Sequence, residues 1–257
     1  MKTNYYINLL LALTLVLNAC KKNGNNGGNP TPTVKKYLTR QVIVSYAGGI
    51  GLVSTTTDYT YDSNKRKATE KSGKFSFTYT YYDDGKLFSS TELVDQGDAL
   101  KFYIEYTYTG SLLTHQAETV YKNNQDFADY TTDYVYKGNL LTETHSDQGV
   151  ITLNTYDSHN DLVKSEFIEG ADTTTTISTY DSNHRKLTDT IASANPGQSS
   201  AHAYTYDSHN NVIKLVTTTG ATSTTVNTTY VYDSDGYLTS YSADNGGHGT
   251  YTYSTLN

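Results

Sequence analysis

A chain of 257 residues with 26 acidic and 19 scattered basic side chains carries a formal net charge of −7. That balance excludes a nucleic-acid ligand, because phosphate binding needs a clustered basic surface. Hydrophobic residues reach only 36%, and 26 of those positions are Tyr, with no Trp and a single initiator Met, so tyrosine must supply much of the buried area.

From the N-terminus, Lys2 gives a positive start, Ile7 to Leu17 form an apolar run, and Leu17-Asn18-Ala19-Cys20 follows. The run is about half of the ~20 residues that span a bilayer, but it suits the apolar region of a signal peptide. Residues 1–19 are therefore expected to be a leader for export. Cys20, the only cysteine, resembles the cysteine of a lipobox, where the thiol is diacylated and the leader is cut just before it, although Asn18 stands where Ser or Ala is usual. The resemblance implies anchorage in the cell envelope through lipid on Cys20, with the outer membrane as the expected location. Residues 20–35 then read as the lipidated Cys followed by a polar Asn/Gly/Pro tether, which cannot repay its ordering entropy.

From residue 36 to 257 the chain repeats one phrase. It is seen in Tyr59-Thr60-Tyr61-Asp62, Tyr204-Thr205-Tyr206-Asp207 and Tyr230-Val231-Tyr232-Asp233. The second tyrosine defines nine repeats at Tyr61, Tyr81, Tyr108, Tyr136, Tyr156, Tyr180, Tyr206, Tyr232 and Tyr253. Each unit holds two strand-like runs and two turns, one β-hairpin of chain. Tyr, Thr and Val favour a pleated, half-buried surface, and strand side chains alternate faces, so both rings of Tyr-x-Tyr are expected on one face.

The turn after the second tyrosine carries its own chemistry. Asp folds its carboxylate onto nearby backbone N–H groups, and Gly85 or Gly236, replaced by Asn160 and Asn210 in two repeats, tolerates the left-handed conformation. Tyr81 to Leu87 and Tyr232 to Leu238 are six residues apart, whereas Tyr108 to Leu112 and Tyr136 to Leu140 are four, an even difference that keeps parity. Tyr61 to Ala68 and Tyr180 to Leu187 are one residue longer, which predicts a β-bulge in those two turns.

The pattern is similar to the YD repeat of the RHS family, typified by Tyr-Asp-x-x-Gly-x-Leu and matched outright by Tyr232–Leu238. The resemblance implies tandem hairpins joined into a long curled antiparallel sheet or barrel-like roll, which in large members shelters a toxin or other cargo. Two strands per repeat give roughly 16–18 strands, and open sheets seldom exceed about ten without curling. The fold expected is all-β. The sequence ends within a repeat and lacks a Pro- and Asp-rich segment after the repeats, so toxin release is not expected.

Other chemistry has plainer explanations. Asp83-Asp84-Gly85 and Asp233-Ser234-Asp235-Gly236 contain pieces of a calcium loop but lack its further ligands and bidentate Glu, so they read as turns. His159, His184 and His209 fall in equivalent turns, and His159 and His184 are neighbours only in sequence order, so no metal site is expected. Gly49-Ile50-Gly51 precedes a second strand-like run, which leaves no helix N-terminus for phosphate. No nucleophile elbow, His-Glu-x-x-His pair or Cys nucleophile occurs, so neither an enzyme nor a cofactor is expected. The expectation is a non-enzymatic envelope lipoprotein whose β-sheet surface binds a protein or glycan. The alternatives are a structural or accessory protein of an RHS-type toxin system and a glycan-acting enzyme with a dispersed site.

Overall fold

The computed structural model describes residues 35–47, 51–94, 100–194 and 197–256. The leader, Cys20 and most of the tether lie outside the described residues, as does the turn read at Gly49-Ile50; Gly51 opens a strand.

The fold is all-β. Its strands are β1 (Tyr37–Ala47), β2 (Gly51–Tyr61), β3 (Lys67–Ser72), β4 (Phe75–Tyr81), β5 (Leu87–Val94) and β6 (Leu100–Thr109). There follow β7 (Leu112–Lys122), β8 (Gln125–Lys137), β9 (Leu140–Ser146), β10 (Val150–Tyr156), β11 (Leu162–Glu169) and β12 (Asp172–Tyr180). The last six are β13 (Lys186–Ser193), β14 (Ser200–Tyr206), β15 (Val212–Thr219), β16 (Thr222–Tyr232), β17 (Leu238–Ala243) and β18 (His248–Ser254). Each strand pairs antiparallel with the next, and β1 pairs with β18, so the 18-stranded sheet closes into a barrel of hairpins and leaves no free edge.

Tyr-x-Tyr sets the faces. The paired tyrosines are half-buried while the residue between them is exposed, as with Thr60, Thr80, Val135, Thr205 and Val231. Side chains crowd on a concave surface, so the tyrosines line the inner wall. Tyr241 lies across the inward-facing Gly249, where an added Cβ would come 2.4 Å from the ring, so only glycine fits beneath it.

The described residues leave the barrel interior unfilled. Among the described residues no strand Cα comes within 8 Å of one on a strand other than its hydrogen-bonded neighbours, and Val120, 6% exposed, is the one buried hydrophobic residue. At about 4.8 Å per strand, 18 strands make a circumference of roughly 86 Å, or about 27 Å between opposite backbones if circular, before tilt widens it.

The turns correct two expectations. A bulge follows the second tyrosine in all eight such hairpins, not in two, because Tyr81 pairs with Leu87 while Thr80 pairs with Ser89, and the others shift likewise. Tyr61 pairs with Lys67 and Tyr180 with Lys186, so these two turns have the ordinary length and a lysine at the leucine position. The parity rule also fails, since Tyr108 pairs with Leu113 and Tyr136 with Leu141, one residue short of the six-residue spacing. Each turn resets its own register, so turn lengths need not differ by an even number.

The aspartate reading holds in atomic detail. One Asp207 carboxylate oxygen accepts the amides of His209 and Asn211, both at 2.8 Å, and Asp233 accepts those of Asp235 and Tyr237 at 3.0 and 2.9 Å. Asn160 and Asn210 have positive φ, as expected, and so do Lys65 (62°) and His184 (61°), which occupy the same turn position.

Candidate functional site: the tyrosine-lined inner wall

The repeat-defining tyrosines latch successive repeats together. The hydroxyl of Tyr81 donates to the Lys67 carbonyl (2.6 Å), Tyr156 to Leu141 (2.9 Å), Tyr180 to Leu162 (2.9 Å) and Tyr206 to Lys186 (2.7 Å). Each acceptor is the residue paired with the second tyrosine of the preceding repeat. Tyr230, rather than Tyr232, reaches Val212 (3.0 Å), and Tyr232 instead receives the Asn211 amide. Tyr106, the first tyrosine of its pair, bonds Ser90 across the wall at 3.0 Å. Burial and the neighbouring Asp207 push the Tyr232 phenol up to about 12.

A second latch comes from the residue five places after the tyrosine. Arg66 lies over the ring of Tyr81 (4.4 Å), Lys86 over Tyr108 (5.6 Å) and Arg185 over Tyr206 (5.1 Å). Tyr237 meets Tyr253 at 5.2 Å, and Asp161 holds His184 of the next turn at 3.0 Å.

Charged groups interrupt this wall. Asp189, 6% exposed, accepts from His202 Nδ1 (2.5 Å) and the Tyr204 hydroxyl (2.9 Å), with Lys186 Nζ at 3.5 Å. Lys67 pairs with Glu70 (2.9 Å) and lies over the rings of Tyr59 and Tyr79, and the Tyr79 hydroxyl also donates to Glu70. Glu92 and Glu118 face the same interior, and burial pushes both carboxyls up, with the Glu118 charge adding to the shift at Glu92.

One oxygen of Glu92 is buried without a hydrogen-bond partner. A carboxyl raised in the folded state costs nothing extra below its unfolded value of about 4.3, and costs stability as pH rises from there towards the raised folded value. Glu92→Gln is therefore expected to raise the thermal midpoint at pH 7 and leave it unchanged at pH 4. Equal midpoints at both pH values would mean the carboxylate is hydrated from the lumen.

The turn histidines are closer than their sequence order suggests. His159 and His184 rings stand 6.1 Å apart, because consecutive turns are neighbours on one rim, while His209 stacks on Tyr232 at 4.3 Å. Among the described residues no three metal-ligating side chains gather. The acidic turns are held by lysines, Asp84 by Lys86 (2.5 Å) and both Asp233 and Asp235 by Lys36 (2.9 and 2.7 Å).

The outer face carries ion pairs and threonines together with single exposed apolar residues such as Val135, Ile177 and Val231. Arg40–Asp58 (2.6 Å), His115–Asp133 (2.7 Å) and Lys164–Glu166 (2.9 Å) lie on outward positions among threonines such as Thr60 and Thr69. A membrane-spanning barrel needs an outward apolar band with aromatic girdles; here the repeat tyrosines point inwards, while Tyr103 and Tyr121 face outwards around Lys101. Exposed Leu93 heads a cross-strand row with Lys101 and Tyr121 on β5, β6 and β7, and the Lys101 ammonium lies over the Tyr103 and Tyr121 rings at 5.9 and 4.6 Å.

No family model matches the chain, and no curated protein matches its sequence. Among solved structures it is similar to a porin-like protein from Bacteroides vulgatus, with 13% identity, a TM-score of 0.45 and coverage of 86% of this chain and 100% of that one. A porin-like protein from Bacteroides uniformis has 12% identity, a TM-score of 0.43 and coverage of 88% and 99%. The TcdB2-TccC3-Cdc42 structure has 12% identity and a TM-score of 0.37 over 80% of this chain, which spans 15% of that one. At these identities and TM-scores none of the likenesses bears on what this chain binds.

Proposed function

We propose that this protein is a non-enzymatic YD-repeat lipoprotein of the cell envelope, held by lipid on Cys20, whose hollow barrel offers its inner wall to a glycan. The observation that supports this reading is the interior that the described residues leave unfilled, because a barrel built for stability alone would bury an apolar core. Here half-buried tyrosine rings alternate with hydroxyls and carboxylates, a surface that stacks on sugar faces while hydrogen-bonding their edges. The ion pairs on outward positions favour attachment through a lipid rather than through the barrel wall.

Two measurements test it. The Cys20→Ser variant is expected in the soluble fraction after cell lysis, and its retention in membranes would remove the anchor. Titrating the protein with neutral oligosaccharides is expected to change its tyrosine fluorescence saturably, a clean signal because Trp is absent. A flat response across such a panel, with a folded barrel by circular dichroism, would overturn the glycan reading and leave the anchor untouched.

A further inference from the structure

The ninth repeat is split between the first strand, β1, and the last, β18, and we infer that this seam is where the barrel opens. Tyr253 on β18 pairs with Leu38 on β1, and the next pair is Thr252 with Arg40, so Thr39 is bulged out. The same step occurs in the hairpin where Tyr232 pairs with Leu238, Val231 pairs with Ser240, and Thr239 is bulged out.

The side chains repeat as well. Thr39 Oγ1 donates to the Thr252 carbonyl (3.1 Å), as Thr239 does to Val231 (3.1 Å) and Thr142 to Val135 (3.2 Å), each time to the middle residue of Tyr-x-Tyr. The Leu38 carbonyl accepts the Tyr61 hydroxyl (2.7 Å), as Lys67 accepts Tyr81 (2.6 Å) and Lys186 accepts Tyr206 (2.7 Å). β18 and β1 therefore form a complete repeat in every respect but one, the connecting turn.

That missing turn decides which ladder separates first. When a covalent hairpin opens, its strands remain ends of a short loop and re-pair readily, whereas β1 and β18 are joined only through the rest of the barrel. Parting them lets a strongly curled sheet relax and bares the inner tyrosine wall, at the cost of a single ladder whose register spans seven residue pairs. All other ladders of the barrel connect consecutive strands.

The test uses the full chain with Cys20→Ser, which removes the only native thiol. Val42→Cys and Thr250→Cys, facing each other across the seam, form one variant, and Val216→Cys with Thr225→Cys, paired within a covalent hairpin, form the control. In hydrogen exchange of the reduced proteins, the β1 and β18 amides are expected to exchange at least about tenfold faster than those of β12 and β13. Oxidising the seam pair should bring them to the level of the other strands, and oxidising the control pair should not. Equal protection in the reduced state, no response to the seam disulfide, or failure of the seam pair to cross-link where the control pair does would each overturn the inference.

Discussion

Replacing Asp189 with alanine is expected to destabilise the barrel by about 2–4 kcal/mol, the range for stripping one partner from a buried charge network. Asp189 is 6% exposed and satisfies His202, Tyr204 and Lys186 together, on strands β13 and β14. Its removal leaves the Tyr204 hydroxyl and the His202 ring without their acceptor at the joint between two repeats. His202 and Lys186 have 20% and 36% side-chain exposure, so water in the lumen recovers part of the loss, which keeps the figure below the top of the range for sealed interiors. Asp189→Asn keeps a carbonyl for Tyr204 and should cost less. Urea unfolding measures both, and a loss under about 1 kcal/mol for the alanine variant would mean that the cluster is already hydrated and holds nothing together.

This network was half legible in the sequence. His202 lies two residues before Tyr204 and so shares the inward parity of the tyrosines, which a reader counting along the strand can see. Asp189 shares the parity of Leu187, the expected inward partner, but its position opposite His202 depends on the β13–β14 register, which no motif in the sequence marks. The bulge after Tyr81, which was not expected, hid Glu92, because parity counted from Leu87 turns it outwards. Lys67 and Lys186 were misread for a related reason, since Ala68 and Leu187 look like the expected apolar partner, whereas Leu187 points outwards and is 40% exposed.

The fold itself was easier to read. Tyr-x-Tyr carries its face in a period of two, and the Asp turn carries its conformation locally, so both survive without knowledge of long-range pairing. Closure does not, because nothing in Leu38-Thr39-Arg40 announces that it completes a hairpin begun 213 residues later at Thr252. The residue five places after the tyrosine was a missed signal of intermediate kind. Arg66, Lys86 and Arg185 recur at that position, and their role as covers for the next repeat's ring emerges only once consecutive repeats lie side by side.

Those latches make Tyr206 the sharpest test of how the repeats cohere. Tyr206→Ala is expected to cost about 3 kcal/mol, below the upper values for a large aromatic truncated in a core because the ring is only half-buried. Tyr206→Phe removes only the bond to the Lys186 carbonyl (2.7 Å) and should cost about 1 kcal/mol. Thr205→Ala, one residue away on the exposed face, should stay within about 0.5 kcal/mol. Arg185 lies over the ring from the preceding repeat, so Arg185→Ala and Tyr206→Ala should be non-additive by about 0.5–1 kcal/mol in a double-mutant cycle. In a linear repeat array such a loss would be confined to neighbouring repeats, whereas in a closed barrel it must also strain the β1–β18 ladder. Hydrogen exchange on Tyr206→Ala should therefore quicken at β1 and β18 as well as at β13 to β15. If Tyr206→Ala costs no more than Thr205→Ala, the tyrosine ladder is an ornament of the wall and the strand ladders alone hold the ring.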